Sequence, residues 1–286
     1  MEEFTYYLQI AGLRWRVVSP VELEIEDSCV PFLAEPGPAD CTIEYTLGQP
    51  PEFGRLVQER LPRVYEAEGG YLVERTPLVS SKPAACVFLS ERDPTHVRGW
   101  IYPDRTDSVR RMVQLLDVSE LEILLASMGI VSLHSSLVRY RDEAILFTAP
   151  SGTGKSTQAD LWEKYEHADI LNGDRSLIRW MDGRWTAYGA PFAGSSQIFR
   201  NESAPIRSIV VLRQAPENTV ESLPPAEAFR LIYSESILPR WNTLAHSSVI
   251  SIISRLCAEV PIRMLRCTPD QRAVNLLKEE VWGDTP

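Results

Sequence analysis

The chain has 286 residues, 44% of them hydrophobic, enough to bury a sizeable core and long enough for two domains. Its formal net charge of −10 argues against a nucleic-acid partner, because phosphate backbones are held by clustered Lys and Arg. No run approaches the roughly 20 apolar residues of a membrane span, and the first twelve residues carry acids where a secretory leader carries positive charge.

The expectation is therefore a soluble cytoplasmic protein with no membrane partner. Its five cysteines (Cys29, Cys41, Cys86, Cys257 and Cys267) lack metal-ligand spacing and read as reduced and structural. Residues 1–115 read as a β-rich module of unassigned role. Tyr6–Ile10 and Leu13–Val18 flank Ala11-Gly12 as a hairpin, and strands are expected at Cys41–Leu47, Tyr71–Glu74, Ala85–Leu89 and Val97–Tyr102. Glu22, Glu24, Glu26 and Asp27 alternate with apolar residues like the wet face of a strand. Val109–Ala126 then reads as one or two helices, with Met112, Leu115, Leu116, Leu121, Leu124 and Leu125 as a core stripe.

Residues 116–286 carry the chemistry. Val131–Tyr140 and Ala144–Thr148 read as paired strands, and Asp182-Gly183 is a hairpin signal after Leu177–Met181. Arg207–Arg213 is apolar across Ile209–Leu212, as a central strand would be. Helices are expected near 225–237 and 243–258, followed by a strand at Ile262–Arg266. A last helix should start at Thr268 as N-cap, with Pro269 in its first turn. The pattern is α/β with many local hairpins.

Between the paired strands and the next helix lies Ala149-Pro150-Ser151-Gly152-Thr153-Gly154-Lys155-Ser156-Thr157. A buried strand, a glycine-rich turn and a helix start together make an anion cradle of backbone N–H groups. Ser151, Gly152, Thr153, Gly154, Lys155, Ser156 and Thr157 would bind the nucleotide phosphates. Lys155 would neutralise β and γ oxygens, and the Ser156 hydroxyl would ligate Mg²⁺. Asp174, at the end of the apolar run Ile170–Asn172, is the expected second Mg²⁺ ligand or the acceptor of a hydroxyl proton. His134 shares a strand face with Ser132 and Ser136. Gly189–Ser196, followed by Gln197, Arg200 and Asn201, reads as an acceptor-binding loop, a lid or a plain connection. Arg200 there could stabilise transferred charge.

With these residues in place, the chain resembles the HPr kinase/phosphorylase-like group, whose nucleotide fold is shared with phosphoenolpyruvate carboxykinases. Leu133-His134-Ser135-Ser136-Leu137-Val138 matches the group's His-bearing strand, Ala149–Ser156 its phosphate loop, and Gly173-Asp174-Arg175 stands where the group has Asp-Asp. It is similar also to HPr-kinase-related proteins of bacteria that carry this domain behind a small β-rich part. Those share an aromatic-Gly-x-Pro loop and a late strand-Cys-x-Pro-Asp segment, which this chain matches with Tyr188-Gly189-Ala190-Pro191 and Leu265-Arg266-Cys267-Thr268-Pro269-Asp270.

The resemblance implies a phosphoenolpyruvate-carboxykinase/HPr-kinase-like P-loop domain at 116–286 behind the β-rich domain at 1–115. It implies ATP and Mg²⁺ as cofactors, with Asp174, His134 and Lys155 as catalytic residues. The activity it implies is transfer of the γ-phosphoryl group to a hydroxyl of a protein, peptide or small-molecule acceptor. Gly173 replaces one acid, and Thr186–Pro191 lacks the charges of the phosphorylase signature, which weakens the case for HPr itself as acceptor. A nucleotide-binding regulatory or scaffold protein is the alternative, and a homo-oligomer is left open.

Overall fold

The computed structural model describes residues 3–76, 82–192 and 194–283. The chain divides into two compact units, Met1–Met128 and Gly129–Pro286. In the first, β1 (Phe4–Ile10) and β2 (Leu13–Ser19) pair antiparallel across Ala11-Gly12. Both turn residues have positive φ, 53° and 74°, the geometry whose twist matches a two-residue hairpin. A single sheet runs β1-β2-β3-β8-β7-β6-β5-β4, using β3 (Cys41–Leu47), β4 (Leu56–Gln58), β5 (Arg63–Ala67), β6 (Gly70–Arg75), β7 (Ala85–Ser90) and β8 (His96–Ile101).

Alternation fixes its faces. Cys41, Ile43 and Tyr45 are buried, while Thr42 and Glu44 between them are not. Helices α1 (Met112–Val118) and α2 (Leu121–Ser127) belong with this sheet. The Tyr45 and Ser119 hydroxyls lie 3.0 Å apart, and Arg75 pairs with Glu120 at 2.8 Å. The division therefore falls after α2 rather than at the expected 115. The acidic stretch at 22–27 is not a strand face, and only Glu24 makes a bridge, to Arg111. Glu26 instead accepts from the Val113 N–H at 3.3 Å and pairs with Arg111, placing a carboxylate at the positive end of α1.

The second unit is built from β9 (Ile130–Tyr140), β10 (Glu143–Thr148), α3 (Lys155–Glu166), β11 (Asp169–Asn172), β12 (Arg175–Met181), β13 (Arg184–Tyr188) and β14 (Ser203–Gln214). It continues through β15 (Thr219–Ser222), α4 (Pro225–Glu235), α5 (Thr243–Glu259), β16 (Ile262–Cys267) and α6 (Gln271–Trp282). The path β10-β9-β12-β13-β14-β16-β15 closes on itself, because β10 also pairs with β14 in parallel.

Two long strands make this closure. β9 pairs with β12 up to His134 and with β10 from Ser135 onward, while β14 leaves β13 after Pro205 and joins β10 and β16. Flanked by β10 and β16, the Ile209–Leu212 run is central, as its unbroken apolar character requires. Helices α3 and α6 cover one core, where Trp162, Ala273, Val274 and Leu277 pack with Val138, Ile145, Phe147, Val210 and Leu265. Lys278 ties the two helices through Glu166 at 3.0 Å. The last helix is capped by Asp270, not Thr268: the Asp270 carboxylate accepts from the N–H groups of Arg272 and Ala273, and the Thr268 hydroxyl bonds to that carboxylate at 3.0 Å. Among the described residues no helix is long and apolar enough to cross a membrane.

Candidate functional site

β10 ends at Thr148, and the chain turns through Ala149–Gly154 into α3. Gly152 and Gly154 hold φ of 79° and 115°, where a side chain strains the backbone even though a Cβ at either would meet nothing within 4 Å. Glycine is needed there for conformation, not for room. Gly154 is the N-cap of α3, so the N–H groups of the first helical turn open toward the loop. Lys155 is only 7% exposed, and its Nζ donates to the Ala149 carbonyl at 2.8 Å. Burial lowers its pKa, opposed by the carboxylates of Glu235 and, less strongly, Asp174. Ser151, Gly152, Ser156 and Thr157 are exposed, and Thr153 is half-buried.

His134 stands where β9 changes partner from β12 to β10, and its carbonyl accepts from the Thr148 hydroxyl at 2.9 Å. Asp174 lies in the turn between β11 and β12. That turn is organised by Asn172, whose side chain is fully buried. Asn172 Oδ1 accepts from the N–H groups of Asp174 (2.9 Å) and Arg175 (2.8 Å), while its Nδ2 donates to the Ala190 and Phe192 carbonyls. The Ser135 N–H donates to the Asp174 carbonyl at 3.1 Å, pinning the turn to β9.

These elements bring His134, Asp174 and Lys155 together, with one addition. His134 Nε2 is 3.7 Å from Asp174 Oδ1, and His134 Nδ1 is 3.8 Å from Glu235 Oε2 at the end of α4. Both spacings exceed a hydrogen bond, so the coupling in this state is electrostatic. Burial, with the nearby Lys155 charge, holds the imidazole below the ordinary histidine pKa despite the two carboxylates. Burial thus favours the neutral ring over the imidazolium. Among the described residues no three His, Cys, Asp or Glu side chains group as a metal site, so a cation here would draw on oxygens of its ligand as well.

The loop after β13 closes over the acid turn. A Cβ on Gly194 would stand 2.7 Å from the Asp174 carboxyl, and one on Gly173 would collide with the Ser196 side chain. The Arg175 guanidinium lies over the Phe192 ring, 4.4 Å from its centroid. Ala193 of this loop lies outside the described residues. Arg200 does not join the cluster: its guanidinium pairs with Asp169 at 3.3 Å, because its backbone N–H is fixed to the Leu171 carbonyl beside β11. A cavity of about 440 Å³ flanks the other side of the glycine loop, lined among others by Gly152, Thr157, Gln158, Leu212, Cys267 and Pro269.

Sequence reasoning missed Asn172 and Glu235. An Asn before Gly-Asp at the end of an apolar run is an Asx-turn signal that could have flagged the first. No local signal marks Glu235.

No protein-family model and no curated protein matches the chain. Among solved structures it is similar to the HPr(Ser) kinase/phosphatase from Coxiella burnetii, with 9% identity, 53% of this chain and 93% of that chain covered, and a TM-score of 0.31.

Proposed function

We propose that this chain is an ATP-dependent kinase that transfers the γ-phosphoryl group of Mg·ATP to a hydroxyl of a protein, peptide or small-molecule acceptor. The observation that carries the reading is the convergence of Lys155, His134 and Asp174 beside a glycine loop that opens helix N–H groups outward. The donor set fits the cofactor: two positive-φ glycines, a buried lysine, an exposed Ser156 hydroxyl, a 36%-exposed Asp174 carboxylate, and a flanking cavity with room for base and ribose.

Ser151–Thr157 would cradle the phosphates, Lys155 would neutralise β and γ oxygens, and Ser156 with Asp174 would hold the metal. Bound Mg²⁺ withdraws charge from the phosphate oxygens. His134, neutral and facing Asp174, takes the acceptor's hydroxyl proton on Nε2 as its oxygen bonds to the γ-phosphorus. The bond from that phosphorus to the β,γ-bridging oxygen breaks, and its electron pair leaves with ADP.

One observation favours a second reading, a nucleotide-binding regulator without turnover: Gly173 supplies no second acid in the turn, and Ser196 fills the space beside it. Incubation with γ-labelled ATP, Mg²⁺ and size-fractionated cell extract separates the two. The kinase reading expects label in a macromolecular or small-molecule fraction that Asp174→Ala abolishes. ATP binding without Asp174-dependent label in any fraction favours the regulator.

A further inference from the structure

We propose that Glu235 is a positioning residue of this site: its carboxylate accepts the Nδ1–H of His134 and so directs the unprotonated Nε2 toward Asp174. Each ring nitrogen has its own carboxylate neighbour, Asp174 at 3.7 Å from Nε2 and Glu235 at 3.8 Å from Nδ1. A movement under about 1 Å brings the Glu235 carboxylate into the hydrogen-bonding range of Nδ1–H, roughly 2.7–3.2 Å, while the unprotonated Nε2 is left free to take a proton. Catalytic contacts are commonly this long before substrate arrives.

The placement of Glu235 is unfavourable for its own helix. It is the last residue of α4, where the negative end of the helix dipole repels an anion, and its side chain is only 13% exposed. The helix buries Ala228 and Ile232 and gains nothing from an acid at its end. Yet the backbone at this helix end is anchored. The Ile237 N–H donates to the Ser132 carbonyl at 2.9 Å, Ser236 bridges Leu133, and the Ser236 hydroxyl donates to the Ile232 carbonyl at 2.8 Å. The end of α4 is thus stitched to β9 immediately beside His134. Glu235 also does more than Asp174 to keep Lys155 charged. A local rule broken at a half-buried position whose backbone is anchored to β9 is the pattern expected of a functional residue.

The catalytic consequence depends on the kinase reading, whereas the tautomer of the ring does not. The experiment uses both. In the full chain at pH 8, ¹⁵N resonances of the imidazoles, with His134→Ala assigning the signal, should report His134 as the Nδ1–H tautomer. Glu235→Met, which keeps length but removes the acceptor, should shift it to Nε2–H, and Glu235→Gln, which keeps a carbonyl oxygen, should not.

In phosphoryl transfer, Glu235→Met should lower kcat by on the order of ten- to a hundredfold with KM for Mg·ATP unchanged, and cost nothing further in His134→Ala. An Nε2–H tautomer in the unsubstituted protein, or one indifferent to Glu235→Met, overturns the proposal even if no turnover is found. Multiplicative losses from the two substitutions overturn it as well. Absent turnover with the expected tautomers leaves Glu235 its positioning role and removes only the kinase reading.

Discussion

Asn172 makes four hydrogen bonds from a fully buried side chain, two that hold the Asp174 turn and two that hold the chain after Gly189. Its removal strands two backbone N–H groups and two carbonyls at once. Asn172→Ala should therefore cost about 2–4 kcal/mol in urea unfolding, with a larger fall in phosphoryl transfer than in ATP affinity. A loss under about 1 kcal/mol would show that the turn is held by other contacts. The residues between Ser151 and Thr157 were legible in the sequence because their chemistry is local: consecutive positions make the turn, the charge and the hydroxyl. Asp174 was legible as an acid after an apolar run. The proximity of Glu235 to His134 was not, since it depends on a nitrogen contributed by β9, a neighbour that only the tertiary fold supplies.

At the level of elements, the segment Gly194–Ser196 packs on the acid turn so closely that Gly173 has no room for a Cβ. Gly173→Ala should lower stability and loosen this segment to proteolysis, and Ser196→Gly in the same chain should recover most of both. Unchanged proteolysis in Gly173→Ala would mean that the segment does not rest on the turn. The cap of α6 offers a test by pH. Hydrogen bonds from Arg272 and Thr268 hold the Asp270 carboxyl at about 2, below the ordinary carboxylate value. Its stabilisation is then complete above the unfolded carboxylate pKa and lost as pH falls through about 2. Protection of the Arg272 and Ala273 amides, relative to their intrinsic exchange rates, should fall across that window, and Asp270→Asn should remove the pH step while keeping the cap oxygen. Strands and helices of this unit were legible from alternation and apolar runs. The splitting of β9 and β14 between two sets of partners was not, because a strand's own period is the same whichever neighbour it pairs with.

For the whole molecule, every side chain assigned to the site belongs to Gly129–Pro286, while Met1–Met128 has its own sheet and its own buried residues. A ligand that binds only the folded state adds RT ln(1 + [L]/Kd), about 2.7 kcal/mol at a hundredfold excess over Kd. That free energy should be felt by the unit whose opening destroys the site. Mg·ATP at such an excess should slow amide exchange through the Ala149–Gln158 loop and helix start, the Asn172–Arg175 turn, and the cavity wall at Leu212–Ala215 and Cys267–Pro269. The strands from Phe4 to Ile101 should exchange at their unliganded rates, and Lys155→Ala should abolish the effect. Protection in those first strands would place part of the nucleotide-binding free energy in the N-terminal unit, and the site as drawn from Gly129–Pro286 would then be incomplete. Protection elsewhere in the second unit but absent from the glycine loop would remove the phosphate-cradle role of Ser151–Thr157, because helix N–H groups that hold an anion cannot exchange as though free.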